Sequence, residues 1–456
     1  MSRFFRISRR DFLSQAGSTA GAVALGLAGS AAPGAEPRSP GPLKKPKVAA
    51  IFTELRFRSH AFNFLENFLG PYLFNGKLTE PAVEVVSFHA DQFPPNDLAR
   101  EVSRRFQIPL YGSIDQALCL GGQELAVDAV LSIVEHGEYP TNPRGQRMYP
   151  RKEFFDATVA VMKRSGHFVP FFNDKHLSYR WDWAKEMYDT AKRLGIPLMA
   201  GSSVPLAERR PPLEIPPGAV VEEAVAVHGG GVEVYDFHGL ELLQSVIESR
   251  TGGETGISQV EFIEGDDFRR AAEGGRWSRE LADAAMAAEL GRPPASYDSI
   301  PGDRQEAGKP AVPASPHALL VTYKDGLRAA VLKVGRNSSR WNFVCRLQGE
   351  AKVRATRFYN GPWGNRNLFK ALSHAVQWFF VHRRAPYPVE RTLLVSGALD
   401  DAMTSREKHS RPVATPHLEF SYEADDFHAF REMGATWQII TSATPEKKGF
   451  DPGDHF

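Results

Sequence analysis

Short apolar runs alternate with helical patterns through the first half of this 456-residue chain, and that alternation most constrains its fold. Such runs are typical of strands buried on both faces of a sheet, and they lie at residues 48–52, 83–88, 108–111, 127–134, 168–172 and 197–201. Strand and helix in alternation predict a parallel sheet with helices on both faces.

Two architectures share this alternation, an open Rossmann-type sheet and a closed barrel of eight strands. After Pro205 the pattern changes, because apolar runs at 317–323, 328–334, 341–347 and 354–359 follow one another, and Asp325-Gly326 is a hairpin signal. Consecutive hairpins make an antiparallel sheet. We therefore predict α/β class: a Rossmann-type parallel-sheet domain at 46–204, then an α+β domain at 205–416 with a largely antiparallel sheet. A Pro- and Gly-rich loop at 292–316 and a C-terminal extension at 417–456 complete this division.

The N-terminal stretch carries a pattern typical of protein export. Ser8-Arg9-Arg10-Asp11-Phe12-Leu13 matches a twin-arginine signal, and a weakly apolar run follows it to Ala32. We interpret residues 1–45 as signal peptide and linker. The expected partner is the twin-arginine translocation machinery, and the expected location is periplasmic or otherwise extracytoplasmic.

Net charge and cysteine content limit the classes of partner and the kinds of stabilising site to expect. The formal net charge of +1 gives no reason to expect nucleic acid as a partner. The two cysteines, Cys119 and Cys345, are too few for a disulfide framework and are expected to be buried free thiols.

A charged cluster follows the fifth apolar run: Asn173-Asp174-Lys175-His176. In open α/β sheets, ligands bind beyond the carboxyl ends of the strands. A lysine delivered there is partly desolvated, which lowers its pKa towards the range of proton transfer. The alternative is a lysine that merely caps a surface turn.

The order of parts resembles the Gfo/Idh/MocA family of NAD(P)-dependent sugar oxidoreductases. The resemblance rests on residues 100–113, on Asp128-Ala129-Val130-Leu131-Ser132-Ile133, on Asn173-Asp174-Lys175-His176-Leu177, and on residues 393–406. It implies a sugar substrate, NAD or NADP as cofactor, and assembly into a homo-oligomer. Because free NAD is scarce outside the cytoplasm, we expect the cofactor to be tightly bound. The resemblance also implies that Lys175 is the catalytic lysine, that Asp174 tunes it, and that a helix at 390–406 packs back on the first domain.

The chain departs from this family at the first turn. The Gly-rich turn after the first strand lets backbone amides approach a pyrophosphate, but residues 53–59 contain no glycine. A helix N-terminus still attracts phosphate, and arginine side chains add charge-assisted bonds. The candidate cofactor-binding residues here are Thr53, Glu54, Arg56, Arg58 and Ser59. The alternative is that Glu54 fills the pyrophosphate position and no dinucleotide binds.

Further candidates lie in the second domain and at the same rim, which is the edge of the parallel sheet formed by the carboxyl ends of its strands. Asp91 is the expected ribose ligand, and Glu135 and His136 are expected near the nicotinamide or the substrate. The resemblance matches His238 and Glu241 to a histidine and an acid on one helix face, with Tyr235 and His176 as further substrate contacts. Asp236 stands only two residues before His238, so it does not match the family's earlier aspartate.

The leading hypothesis is hydride exchange between a nicotinamide and a carbinol carbon, with His238 as general base and Lys175 polarising the oxygen. One alternative is a non-catalytic exported carbohydrate-binding protein, with Trp181, Trp183, Trp341 and Trp363 available to stack on sugar rings. Another is a metal-dependent sugar isomerase or hydrolase. Its candidate ligands are His89, Asp91, Glu135, His136, Glu138, Asp174 and His176, but they lack a compact ligand spacing, so no metal ligand is assigned.

Overall fold

A computed structural model describes residues 44–453 except 217, 299 and 304–314. The predicted export signal and part of the predicted 292–316 loop therefore lie outside the described residues. The described elements belong to one compact unit that begins at Lys45. Among these residues, no helix has both the length and the apolar character that a membrane crossing needs.

The first domain is built on a parallel sheet. Its elements in chain order are β1 (Lys47–Phe52), α1 (His60–Leu69), β2 (Tyr72–Phe74), β3 (Lys77–Thr79), β4 (Glu84–Ala90), α2 (Ala99–Phe106), β5 (Leu110–Tyr111), α3 (Ile114–Leu118), β6 (Ala129–Ile133), α4 (Arg151–Ser165), β7 (Phe171–Asp174), α5 (Trp181–Leu194) and β8 (Leu198–Gly201). The strand order β5-β4-β1-β6-β7-β8 is parallel throughout. The chain reverses direction across the sheet between β1 and β6, and such a switch point is where open sheets bind ligands.

The second domain is built on an eight-stranded sheet. Its elements are β9 (Glu208–Arg210), β10 (Val221–His228), α6 (Val234–Ile247), β11 (Ile257–Glu264), α7 (Asp266–Glu273), α8 (Arg279–Leu290), β12 (His317–Tyr323), β13 (Arg328–Lys333), β14 (Trp341–Leu347), β15 (Arg354–Tyr359), α9 (Asn365–His382), α10 (Val389–Glu407) and β16 (Val413–Ala414). The order is β16-β11-β12-β13-β10-β14-β15-β9, and only the β10–β13 pairing is parallel. The predicted fold class is confirmed.

Helix α10 contacts both sheets. It packs against α6 in the core of the second domain, where Leu394, Ala398 and Leu399 are buried. On the other side, Ser396 Oγ accepts a hydrogen bond from Leu177 N, and Thr392 Oγ1 donates to Ala200 O. These bonds attach α10 to the segments that follow β7 and end β8.

Several elements differ from the sequence-based expectation. The hairpin β2–β3 was not predicted, although Asn75 and Gly76 at its turn have φ values of 48° and 74°, as an Asn-Gly hairpin turn requires. The second domain is also less purely stranded than expected, because α7 and α8 stand between β11 and β12. Both cysteines are buried free thiols, as predicted.

Candidate functional site

Lys175 lies directly beyond the carboxyl end of β7, with its backbone in the left-handed region at φ 75°. Two hydrogen bonds to Gly201, Lys175 N to Gly201 O and Gly201 N to Lys175 O, each 3.2 Å, hold that backbone in place. A non-glycine residue in this region costs about 1–3 kcal/mol and persists only where neighbours impose it. The conformation that directs this side chain therefore lowers the stability of the fold.

His238 of α6 meets Lys175 across the two domains. Lys175 Nζ lies 2.5 Å from His238 Nε2, and His238 Nδ1 lies 2.6 Å from Ser202 Oγ. An ammonium has only donors, so Nε2 accepts, and Nδ1 carries the proton that it donates to the serine. Lys175 and His238 are only 4% and 8% exposed, so the pair is shielded from solvent.

Glu135 supplies the negative charge beside Lys175. Its Oε1 is 3.7 Å from Lys175 Nζ, and its Oε2 is 2.5 Å from Arg151 Nη2. Burial opposes ionisation of this carboxyl, but Lys175 and Arg151 hold its pKa below the ordinary value. Thr53 Oγ1 donates to Glu135 O at 2.8 Å, which ties the end of β1 to the end of β6.

Asp174 points to the other side of the same rim. Its Oδ2 is 2.6 Å from His60 Nδ1 at the start of α1. Burial raises the pKa of Asp174 to about 7, although Lys175 and Arg151 act in the opposite direction. His136 stands next to His60, with ring centroids 5.0 Å apart. The chain thus brings the predicted Asp174, Glu135 and His136 to one place.

His176 and Glu233 form a second, weaker contact. His176 Nε2 lies 3.3 Å from Arg151 Nη1 and 3.5 Å from Glu233 Oε1, which has no hydrogen-bond partner among the described residues. Burial raises the pKa of Glu233 to about 8 and lowers that of His176 well below its ordinary value. A buried polar atom without a partner is uncommon and marks a place where a ligand group or water can bind.

The remaining second-domain candidates lie around this centre. Tyr235 stacks on Trp341, with ring centroids 5.4 Å apart, and lies 6.2 Å from the His238 ring. Glu241 is directed at α10 instead, since its Oε1 lies 2.6 Å from Thr392 Oγ1. Burial raises the pKa of Glu241 to about 7.

Asp236 belongs to a separate buried network. Its Oδ1 lies 3.0 Å from His228 Nε2 and 2.7 Å from His317 Nε2, and its Oδ2 accepts from Glu233 N. Within the part of the chain that the structure describes, this is the only group of three such side chains able to share a metal ion. Gly230 N donates to His228 Nδ1, so His228 Nε2 carries the proton and donates to the carboxylate. The seven residues of the metal hypothesis do not form such a group.

Between β1 and α1, the two predicted arginines, Arg56 and Arg58, each bind a carboxylate. Glu54 is 5% exposed, and its Oε1 accepts from Arg56 Nε at 2.5 Å. Arg58 binds Glu446 with two bonds, Nε to Oε1 at 2.9 Å and Nη2 to Oε2 at 2.5 Å. Ser59 is the N-cap of α1, and its Oγ accepts from Phe62 N.

The predicted ribose ligand, Asp91, is also engaged. Tyr139 OH donates to Asp91 Oδ2 at 2.5 Å, and Gln92 bonds Glu138 through both its amide atoms. The loop between β6 and α4 therefore lies over the end of β4.

The sequence interpretation missed four residues of this site: His60, Arg151, Ser202 and Glu233. Ser202 directly follows β8, so the rule that ligands bind at strand ends identifies it. Glu233 and Asp236 form a capping box, a pattern visible in the sequence as two acids three apart before a helix. Nothing local marks His60 or Arg151, because their partners are distant in the chain.

Known structures share this fold. GenD2 from gentamicin A biosynthesis, crystallised in complex with NAD, aligns with a TM-score of 0.50 at 12% identity, over 84% of this chain and 99% of GenD2. A probable dehydrogenase from Thermotoga maritima aligns at 0.47 and 10% identity, over 82% and 99% of the two chains. Myo-inositol 2-dehydrogenase from Lactobacillus plantarum aligns at 0.47 and 11% identity, over 81% and 99%.

No protein-family model matches the sequence, and no curated protein matches it either. At 12% identity, the GenD2 alignment shows a shared fold and does not by itself define the chemistry. The two-domain arrangement expected from the resemblance is thus shown, and the activity has to be argued from the site.

Proposed function

We propose that the protein is an exported oxidoreductase that acts on a hydroxyl-bearing carbon of a sugar or sugar derivative, with NAD or NADP as a tightly retained cofactor. One observation carries this proposal. A lysine from the parallel sheet and a histidine from the second domain lie 2.5 Å apart, next to the switch point of the sheet.

The donor chemistry around this pair fits a dinucleotide in two respects. At the reaction end, Glu233 Oε1 is a buried atom without a hydrogen-bond partner among the described residues. Beside the start of α1, Arg56 and Arg58 each bind a carboxylate, and guanidinium groups bind phosphates through the same charge-assisted hydrogen bonds. Arg56, Arg58 and Ser59 would hold the phosphates, and Asp91 the ribose, once their present partners give way.

The nicotinamide, when bound, would supply the carbon that accepts or returns a hydride. The protein's own groups manage the proton. His238 Nε2 accepts the hydroxyl proton as the C–H bond breaks, and Ser202 Oγ holds the Nδ1 proton so that the ring presents the correct nitrogen. Lys175 stabilises the developing charge on the substrate oxygen, while Glu135 and Arg151 keep the ammonium in position.

Native mass spectrometry of the exported protein, purified without added nucleotide, tests the cofactor. We expect a mass excess equal to one dinucleotide, and reduction of that cofactor when hexoses, inositols or uronic acids are offered. A chain of bare mass that binds sugars without redox change would instead favour the carbohydrate-binding alternative.

Lys175→Met tests the catalytic pair. Loss of one group that stabilises developing charge on the substrate oxygen typically costs about 10²- to 10³-fold, so we expect kcat to fall within that range while the dinucleotide stays bound. Lys185→Met, at a surface pair with Asp189, is the matched control and should leave kcat unchanged. Full activity in the Lys175 variant would remove this residue from the mechanism.

A further inference from the structure

The end of the chain runs alongside α1. We define the C-terminal strap as residues 441–453. Glu446 contacts Arg58 before the helix, the Phe450 ring lies 5.4 Å from that of Phe62, and Gly453 packs against Gly70 just after the helix. The strap therefore follows the whole length of α1.

Several anchors fix the strap on this path. Trp363 Nε1 donates to Thr444 O at 3.0 Å, and Arg366 Nη1 donates to Lys447 O at 2.5 Å. Arg105 of α2 donates to Phe450 O at 2.6 Å. The strap is thus held by side chains from both domains, so the position of Glu446 is built into the fold.

Glu446 occupies a position with a defined electrostatic character. Its carboxylate binds Arg58 in the two-point manner that guanidinium groups use for phosphates, and Arg366 Nη1 adds a third contact at 3.4 Å. Arg58 immediately precedes the N-cap of α1, the end of the helix that favours negative charge. This helix is also the first after β1, where a parallel sheet of this kind receives the phosphates of a dinucleotide.

We propose that the strap is an internal competitor for the nucleotide: the Glu446 carboxylate stands where a phosphate would bind Arg58, and a dinucleotide must displace it to enter. This inference rests on the proposed function, since it concerns the same cofactor. It explains how a chain without a Gly-rich turn can still hold Arg58 at this position, because Glu446 of the strap neutralises this arginine in the free protein.

Glu446→Gln tests the competition. The amide cannot match the charge of the carboxylate on Arg58, so we expect the Kd for NAD⁺, measured by calorimetry on nucleotide-free protein, to fall about tenfold. Glu423→Gln, an exposed acid of the same C-terminal extension, is the matched control and should leave the Kd unchanged. Adding Arg58→Met to Glu446→Gln should abolish the gain, since the Arg58 guanidinium supplies the contact for which carboxylate and phosphate compete.

Hydrogen exchange provides a second measurement that needs no variant. Adding NAD⁺ to the wild-type protein should speed exchange of the strap amides while protecting the start of α1. Equal and tight NAD⁺ binding by wild type and Glu446→Gln, with an unchanged strap, would overturn the competition and leave the oxidoreductase proposal intact. Absence of both NAD⁺ and NADP⁺ binding in every variant would overturn both.

Discussion

Buried carboxyl groups at this site fall into two classes, and the nearest cations decide the class of each. Glu135 faces Lys175 and Arg151, and its pKa is lowered despite burial. The Glu233 carboxyl accepts from the backbone of Asp236 in the capping box and lies 3.5 Å from His176, and burial raises its pKa to about 8. At neutral pH the site therefore contains an ionised carboxylate beside the lysine and a protonated acid a short distance away.

Glu233→Gln should change how stability depends on pH. In the unfolded chain this carboxyl has its ordinary pKa of 4.5, whereas in the folded protein its pKa is about 8 and it keeps the proton up to that pH. Between these values the unfolded state binds fewer protons, so rising pH lowers the stability of the wild type by up to about 1.4 kcal/mol per unit. The variant lacks this loss. Its free energy of unfolding, compared with that of the wild type, should therefore rise by roughly 3–4 kcal/mol between pH 5 and pH 8.

Urea unfolding at pH 5 and pH 8 measures that gain. Glutamine keeps the shape and the neutral charge of the protonated acid, so the two proteins should have similar stability at pH 5. Glu222→Gln, at an exposed position of β10, should show the same difference from wild type at both pH values. If Glu233→Gln behaved in the same way, Glu233 would not be a protonated acid in the folded protein.

At the scale of elements, the start of α6 depends on Asp236. This carboxylate receives bonds from His228, His317 and the backbone of Glu233, and it is fully buried. Because α6 also carries His238, the network determines where the His238 ring stands. Burial opposes ionisation of Asp236, but the two imidazoles hold its pKa well below the ordinary value.

Asp236→Asn should destabilise the protein by roughly 2–4 kcal/mol, because the amide cannot accept bonds from all three donors and leaves buried N–H groups unpaired. Chemical denaturation measures this cost. Asp267→Asn, on the exposed surface of α7, is the control and should change stability by less than about 0.5 kcal/mol.

Dialysis of the wild type against EDTA should leave its Tm unchanged, since hydrogen bonds account for the network of Asp236, His228 and His317. A lower Tm would show that these side chains bind an ion.

The parallel sheet could be predicted because each buried strand reads as a continuous apolar run bounded by polar residues. The same rule located the rim at which Lys175, Glu135 and Asp91 lie. Helices α7 and α8 were missed, since the sequence between β11 and β12 was interpreted only as far as its Pro- and Gly-rich loop. The partners of Arg58 and Asp91 also could not be predicted, because Glu446 and Tyr139 reach them from segments 388 and 48 residues away.

At the scale of the whole molecule, the site needs both domains at once. Lys175 comes from the first sheet, His238 from α6, and the strap that reaches Arg58 is anchored by Arg366 of α9. A protein assembled from such distant segments has to fold completely before it can take up a dinucleotide. Export after folding would suit that requirement, and the Arg9-Arg10 pair predicts this route.

Replacing Arg9 and Arg10 together with lysine should therefore trap the protein inside the cell in its folded state. The substitutions keep the positive charge and change only the guanidinium pair that the translocation machinery recognises. Fractionation of the expressing cells should find the wild type outside the cytoplasm and the variant within it. The proposal that the cofactor is bound before transport predicts that native mass spectrometry finds the dinucleotide in both. Export of the double variant at the wild-type level would refute the twin-arginine route. A variant that stays in the cytoplasm without nucleotide would support the twin-arginine route and refute cofactor binding before export.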